Sequence, residues 1–394
     1  MTRIRRLGLG VIDQGLSSIS NALFLVAVAR EAGLEEFGAV SFAYALFAFG
    51  LAVQRASMGT LISLSEGGGN VPPPVFLSLL WAVVVVVVGL VLGATIGDDE
   101  SAAYYVVVGG CLVVYPQDLL RYSAIAERRA GLAVVSDASW AAVTLALLLA
   151  SLSGLTLSVT AMSVVWVVLG AGAALVAIAV PLRRRMTLGV RWLRDHVAEL
   201  RTLGPDALLA SLAPLLLASV MAHYMSLGDV AAVRGAGTLL GPAAMLFSAL
   251  PIVLLPEMAR VLGNDRFRLA TAQALVMCLF VLVWGGCLAL LPASVGEQIL
   301  GETWTGSRAI LLWAVLELVM WALASGPIAL LGTYHRWRTL LFVRVAYLIT
   351  VAFALSMTVT SGSVSRVMIG MVLASASNCL ILSLAARRES ARHQ

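Results

Sequence analysis

Twelve apolar stretches of about twenty residues each, set apart by short connectors, restrict this chain more than any other feature of its sequence. They cover about residues 11–29, 39–62, 75–96, 102–120, 134–152, 158–180, 207–225, 235–255, 271–291, 309–331, 339–357 and 366–385. A helix rises about 1.5 Å per residue, so each stretch is long enough to cross the hydrocarbon core of a bilayer. Backbone N–H and C=O groups find no water there, and a helix satisfies them within one segment. The expected fold is therefore an all-α integral membrane protein with about twelve spans. Only 12% of the residues are charged, against about 25% in a soluble domain. Such a chain lacks the polar groups to cover a globule in water.

Arginine placement orients the spans. All 26 basic residues are arginine. With the N-terminus inside, 22 of them fall on the inner side and only Arg30, Arg234, Arg308 and Arg366 on the outer. This is the bias expected of cytoplasmic loops. Both termini then lie in the cytoplasm of a cell inner (plasma) membrane protein, with the acidic turn of Asp98, Asp99 and Glu100 outside. The first stretch follows Arg3, Arg5 and Arg6 as a secretion signal would. Asp13, Gln14 and Asn21 interrupt it, however, so it is expected to stay as a span. The absence of lysine excludes a Walker-type phosphate loop and a pyridoxal Schiff base. Cys111, Cys278, Cys287 and Cys379 sit in apolar runs without ligand spacing, so no metal, cofactor or disulfide framework is expected. The positive balance suits anionic headgroups of membrane lipid rather than nucleic acid.

The chain also repeats itself. Residues 13–40 return as 206–233, with Asp13 on Asp206, Leu16 on Leu209, Ser18 on Ser211 and Leu23 on Leu216. Ala29 falls on Ala222, Leu34 on Leu227, Ala39 on Ala232 and Val40 on Val233, while Arg30 and Glu36 meet His223 and Asp229. The shift is close to half the chain, as a duplication would give. Two lobes of six spans follow, 1–180 and 206–394. Six is even, so both lobes enter the membrane in the same sense. A pseudo-two-fold along the membrane normal, with a cleft between lobes, is the expected relation. Residues 181–205 read as a cytoplasmic amphipathic linker on the inner surface. There Trp192, Leu193, Val197 and Leu200 recur near helical spacing beside Arg191, Arg194 and Arg201. The connector over 65–74 is turn-rich and lacks the G-x-x-x-D-R-x-G-R-R pattern of major-facilitator transporters.

A charge at the bilayer centre costs about 2.5–3.5 kcal/mol on insertion scales, so polar residues inside spans are candidate sites. Gln14, Ser18 and Asn21 lie on one face of the first span, flanked by Asp13, Ser17 and Ser20. That face lines either a water-filled cleft or a small-residue packing seam. Arg55, deep in the second span, either reaches the inner interface along its stem or points into the cleft. Asp13, Asp118, Arg121 and Asp137 are expected at a similar depth to Arg55. Such a ring reads as a salt-bridged inner gate or as a cationic landing site for a phosphate headgroup. Arg30 and Glu31 form either a surface pair or a site at the outer end of the first span. Glu317, well inside an otherwise apolar span, is either protonated, paired, or part of a cation pathway. Pro242, Pro251, Pro256 and Pro327 interrupt spans of the second half.

The run Ala29-Arg30-Glu31-Ala32-Gly33-Leu34-Glu35-Glu36-Phe37-Gly38 follows a first helix bearing serines and an asparagine. Together they resemble the opening of the polysaccharide-transporter flippases, the O-antigen and lipid-linked oligosaccharide branch of the multidrug, oligosaccharidyl-lipid and polysaccharide exporter superfamily. That family carries an A-R-x-L-G-x-x-x-F-G-like hairpin, and here Ala32 stands where leucine is usual. The resemblance implies two helix bundles facing a central cavity that opens alternately to either side. It implies a lipid-linked sugar substrate of the undecaprenyl-diphosphate type, moved for cell-surface polysaccharide synthesis beside other polysaccharide-assembly membrane proteins. Arg30 and Arg55 are the positions that match cavity arginines of relatives, and their forks suit diphosphate oxygens. Substrate contacts are thus expected from Arg55, Arg30, Gln14, Ser18 and Asn21. Coupling or gating is expected of Asp13, Glu317, Asp137 and Arg121.

Two other functions fit the same residues. One is a cation-coupled small-molecule or drug exporter of the same superfamily, with Asp13 or Glu317 as coupling residue. The other is a membrane scaffold without transport, which leaves the repeated hairpin unexplained. A membrane enzyme such as a sugar polymerase would want a large outer loop or an acid pair at the water interface. The outer loops are short, and no enzyme is expected.

Overall fold

The computed structural model describes residues 3–64, 74–95, 101–127, 129–183, 189–243, 247, 258, 261 and 263–392, with side chains at 13 and from 15 onward except at 64, 101, 263 and 264. Among the described residues there is no strand. In chain order the helices are α1 (Arg3–Glu31), α2 (Leu34–Gln54), α3 (Val75–Gly93), α4 (Ser101–Gly109) and α5 (Cys111–Ala126). After them come α6 (Ala130–Leu152), α7 (Val159–Val164), α8 (Val190–Tyr224), α9 (Leu227–Leu239) and α10 (Gly263–Ala289). The last are α11 (Ala293–Leu300), α12 (Thr303–Thr333), α13 (Trp337–Thr358) and α14 (Val364–Arg392). A π-helical turn, Arg55–Gly59, carries α2 on into Thr60–Leu64, and a second, Val165–Ala171, carries α7 on into Gly172–Leu182.

Ten of the described helical segments are long and apolar enough to cross a membrane, and each falls on one of the twelve expected stretches. Helix α1 supplies the first expected span, and α9 opens the eighth. The rest of that stretch, with Pro251 and Pro256, lies largely outside the described residues. So do the connector over 65–73, the 98–100 turn and Arg184–Arg185 of the linker. The chain is a multi-pass membrane protein.

Its helices are packed for lipid. On α3 the buried stripe is Ser78, Ala82, Val85, Gly89 and Gly93, while Val83, Val84, Val87, Val88 and Val91 are exposed. Burying a valine against protein gains little when the alternative is an acyl chain. Small residues bring backbones close instead, which is where packing energy is found in a membrane.

The chain divides into two compact units, 1–231 with 299–302, and 232–298 with 303–394. The first is centred on Trp166, fully buried in the π-helical turn after α7. Its ring stacks on Phe24 of α1 at 4.2 Å and meets Trp140 of α6 at 5.1 Å and Phe47 of α2 at 5.6 Å. Four helices are pinned by one side chain. In the second unit Met258, Ala270, Ala324, Leu330, Leu331, Val343 and Leu382 form the core that joins α10, α12, α13 and α14.

The expected linker and the seventh expected span are one helix, α8, of 35 residues, which runs through Pro205 and Pro214. Gly189 precedes it at φ 74°, where any side chain would also strike Pro74 at 2.7 Å. Trp192 is buried against Leu61, Ile62 and Leu119, with Leu200 and Leu203 packed on the same cluster. Leu193 and Val197 are exposed instead, so the packed stripe runs through 192, 196, 200 and 203. Arg191, Arg194 and Arg201 stay exposed. Those contacts hold this end of α8 to the first unit, which runs to Ala231.

The two hairpins of the repeat both turn within very few residues. The second is capped by Ser226, whose Oγ accepts from the Asp229 N–H at 3.1 Å and donates to Asp229 Oδ2 at 2.8 Å. Gly38 lies so close to Leu227 that a Cβ would stand 2.0 Å from its carbonyl oxygen. Gly38→Leu is therefore expected to cost about 1–3 kcal/mol through overpacking, read as a lower thermal midpoint in detergent. Gly33→Ala, where a Cβ meets nothing within 4 Å, is the silent control.

Candidate functional site

A network of buried charge crosses the first unit. Asp118 and Arg121 lie three residues apart on α5 and so share a face. Arg121 points its three nitrogens at three carboxylates. Nη2 donates to Asp13 Oδ2 of α1 at 2.6 Å, and Nη1 donates to Asp118 Oδ1 at 2.7 Å. Nε stands 3.1 Å from Asp137 Oδ2 of α6, as an ion pair not aligned for a hydrogen bond. Arg55 opens the π turn after α2 and grips Asp118 with two nitrogens, Nη2 at 2.6 Å and Nε at 3.0 and 3.1 Å. Such turns take one extra residue and often mark functional sites.

Burial gives these contacts their weight. The Arg121, Asp13, Asp118 and Asp137 side chains are 4%, 3%, 1% and 1% exposed, whereas Arg55 is 25% exposed and forms the rim. Three carboxylates face two guanidiniums, which leaves one negative charge over when all five are ionised. Among the described residues Asp13 Oδ1 has no hydrogen-bond partner, and Asp137 Oδ2 has only its unaligned contact with Arg121. These two oxygens are the least engaged acceptors of the network.

Neutral side chains brace the network. Gln117 Nε2 donates to Asp137 Oδ1 and to Ser136 Oγ, both at 2.9 Å, and Ser136 Oγ donates to the Ala174 carbonyl at 2.7 Å. Next to Arg55, Gln54 Nε2 donates to the Tyr115 carbonyl at 2.8 Å, while Ser78 Oγ donates to Gln54 Oε1 at 2.7 Å. The sequence reading passed over Gln54, Ser78, Gln117 and Ser136. Adjacency was their one signal, since Gln54 precedes Arg55 and Gln117 precedes Asp118.

The other expected site residues are placed as follows. On α1 the inward stripe is Asp13, Ser17, Ser20 and Phe24, and Ser20 Oγ lies 3.3 Å from Thr144 Oγ1 of α6. Ser18 and Asn21 are half-buried one step round the helix, and Asn21 Oδ1 has no partner. The Gln14 side chain lies outside the described residues. Arg30 Nε donates to Ser151 Oγ at 3.4 Å, and Ser151 Oγ donates to Glu31. Arg30 and Glu31 belong to a separate group from the five charges. Asp206, the repeat partner of Asp13, is half-buried on α8. Glu317 belongs to the second unit, half-buried on α12 near Tyr347, and makes no hydrogen bond or ion pair with a described residue. Among the described residues no group of three or more His, Cys, Asp or Glu is arranged to hold a metal. All four cysteines are unpaired.

No family model and no curated protein matches the sequence. Solved structures do match. An inward-facing multidrug resistance MATE family transporter of the MOP superfamily superposes with a TM-score of 0.68 at 15% identity, over 95% of both chains. The fold is that of the MATE transporters. A eukaryotic MATE transporter, AtDTX14, gives 0.65 at 13% identity over 99% of both chains. A MOP superfamily transporter from Pyrococcus furiosus, described as having a binding pocket of reverse polarity, gives 0.63 at 15% over 98% of this chain and 95% of that one. The MATE-like fold agrees with the all-α, roughly twelve-span architecture read from the sequence. At 13–15% identity the likeness is one of fold.

Proposed function

We propose that the chain is an exporter of small molecules driven by a proton or a monovalent cation. In this reading Asp13 and Asp137 bind the coupling ion, and Arg121 is the internal cation that competes for the same carboxylates. One observation carries it: three buried carboxylates share two guanidiniums, with Asp13 Oδ1 unpartnered and Asp137 Oδ2 poorly engaged. Buried charge in a membrane is costly unless balanced. A site with one negative charge over favours uptake of one positive charge, and taking it up weakens the hold on Arg121. That gives a two-state element that an ion can bias. Glu317, half-buried on α12 near Tyr347, is the second coupling candidate. The MATE-like fold supports transport as the setting. The orientation with cytoplasmic termini in an inner membrane belongs to the same proposal.

A lipid-linked oligosaccharide flippase is the second reading. Arg30 favours it, since only its Nε is engaged and its terminal nitrogens have no hydrogen-bond partner among the described residues. Ser18 and Asn21 would line the same path. Arg55 speaks less for it, because a diphosphate would have to displace Asp118 from a two-pronged grip.

Ethidium accumulation in an efflux-deficient bacterial host tests the two. The exporter reading predicts lower accumulation on expression, restored by a protonophore or by removing sodium. It is abandoned for the flippase if ethidium accumulation is unchanged while the chain complements a flippase defect in an Arg30-dependent manner.

A further inference from the structure

We propose that a cavity inside the second unit binds a small amphiphile, with an amide, sulfonamide or carboxylic acid head on an aromatic or acyl body. The cavity has a volume of about 460 Å³ and lies against α10, α12 and α13, within the size range of sites for drug-sized ligands. Phe247, Trp321 and Trp337 supply aromatic walls, which suit flat or apolar bodies.

Gln273 of α10 lines the same space, 2% exposed, and among the described residues neither its amide oxygen nor its amide nitrogen has a hydrogen-bond partner. Buried polar groups are nearly always paired, and leaving both ends of one amide unpaired is costly. A head that both donates and accepts would satisfy Gln273 through two bonds at once. Arg344 also lines the cavity. At Gly332 of α12 an added Cβ would meet no atom within 4 Å, so the space beside it is open. The site lies apart from the five charges of the first unit, and binding there stands whether or not the chain transports.

The same head chemistry occurs on bilayer-derived acyl amides and on free aryl solutes. Full-length protein in phosphatidylcholine nanodiscs, titrated with dansylamide, tests the site through energy transfer from tryptophan to the dansyl group. Empty nanodiscs give the partitioning background. Saturable transfer is expected in the wild type. Gln273→Leu should weaken it about tenfold, the effect of losing a buried hydrogen-bonding partner. Gly332→Leu, which fills the space while leaving Gln273 intact, should abolish the saturable part and keep the thermal midpoint. Should Gln273→Leu fail to fold, Gly332→Leu decides. Displacement by benzamide would identify a free aryl source, and displacement by oleamide a bilayer-derived one; either supports the site. Transfer that never saturates, or that saturates alike in wild type and Gly332→Leu, would mean that dansylamide does not bind in this cavity, and overturns the proposal.

Discussion

Arg121→Met is expected to lower the stability of the folded protein by about 3–5 kcal/mol, the usual cost of removing one partner from a buried ion pair. Arg121 meets three carboxylates within 3.1 Å. Without it Asp13 loses its ion pair, Asp137 keeps Gln117, and Asp118 keeps Arg55. The loss should appear as a collapse of the monodisperse peak in detergent and a lower thermal midpoint. Arg121→Lys should fall between, because an ammonium is a point charge and cannot address three carboxylates with separate nitrogens. Adding Asp13→Asn and Asp137→Asn to Arg121→Met should recover most of the folded protein. The triple variant then holds one carboxylate against one guanidinium. Unchanged folding of Arg121→Met alone would show that water or lipid headgroups already solvate the site.

Asp137→Asn should have the opposite profile. It leaves Asp13 and Asp118 facing Arg55 and Arg121, two charges of each sign, so folding is kept or slightly improved. Asparagine still accepts from Gln117, while its NH2 replaces Oδ2 beside Arg121 Nε and gives up that unaligned contact. The carboxylate that is available for a coupling ion is gone, so gradient-driven export should fall to that of a vector control. Asp13→Asn should behave similarly, with somewhat more loss of stability, since its Oδ2 makes an aligned bond to Arg121 at 2.6 Å. A variant that folds well and still exports at the wild-type rate would remove that residue from the coupling role.

Much of this was legible in the sequence, for physical reasons that can be named. Apolar runs report spans because length and lipid solubility are properties of a segment by itself. The common depth of Asp13, Arg55, Asp118, Arg121 and Asp137 follows from counting residues along spans. Their mutual contacts do not, because rotation of each helix about its axis is set by packing. On α1 the stripe through Asp13, Ser17, Ser20 and Phe24 turned inward, since Phe24 stacks on Trp166. Nothing local to α1 distinguishes that stripe from the one through Gln14, Ser18 and Asn21. Pro205 read as a break between linker and span, yet α8 passes through it; the packed Trp192 fixes the lower half of the helix from outside. Gln273 was invisible for a related reason. One glutamine in an apolar run signals nothing until the space beside it is known.

Proteoliposomes test the central claim most directly. Purified protein is reconstituted, a proton or sodium gradient is imposed, and uptake of ethidium is followed with and without the gradient. Coupling is reciprocal, so an imposed ethidium gradient should also move the ion. The account predicts gradient-dependent uptake in the wild type, ion movement on adding ethidium, and neither in the Asp13→Asn, Asp137→Asn double variant. Uptake that proceeds equally without any gradient, or that survives in the double variant, would contradict it.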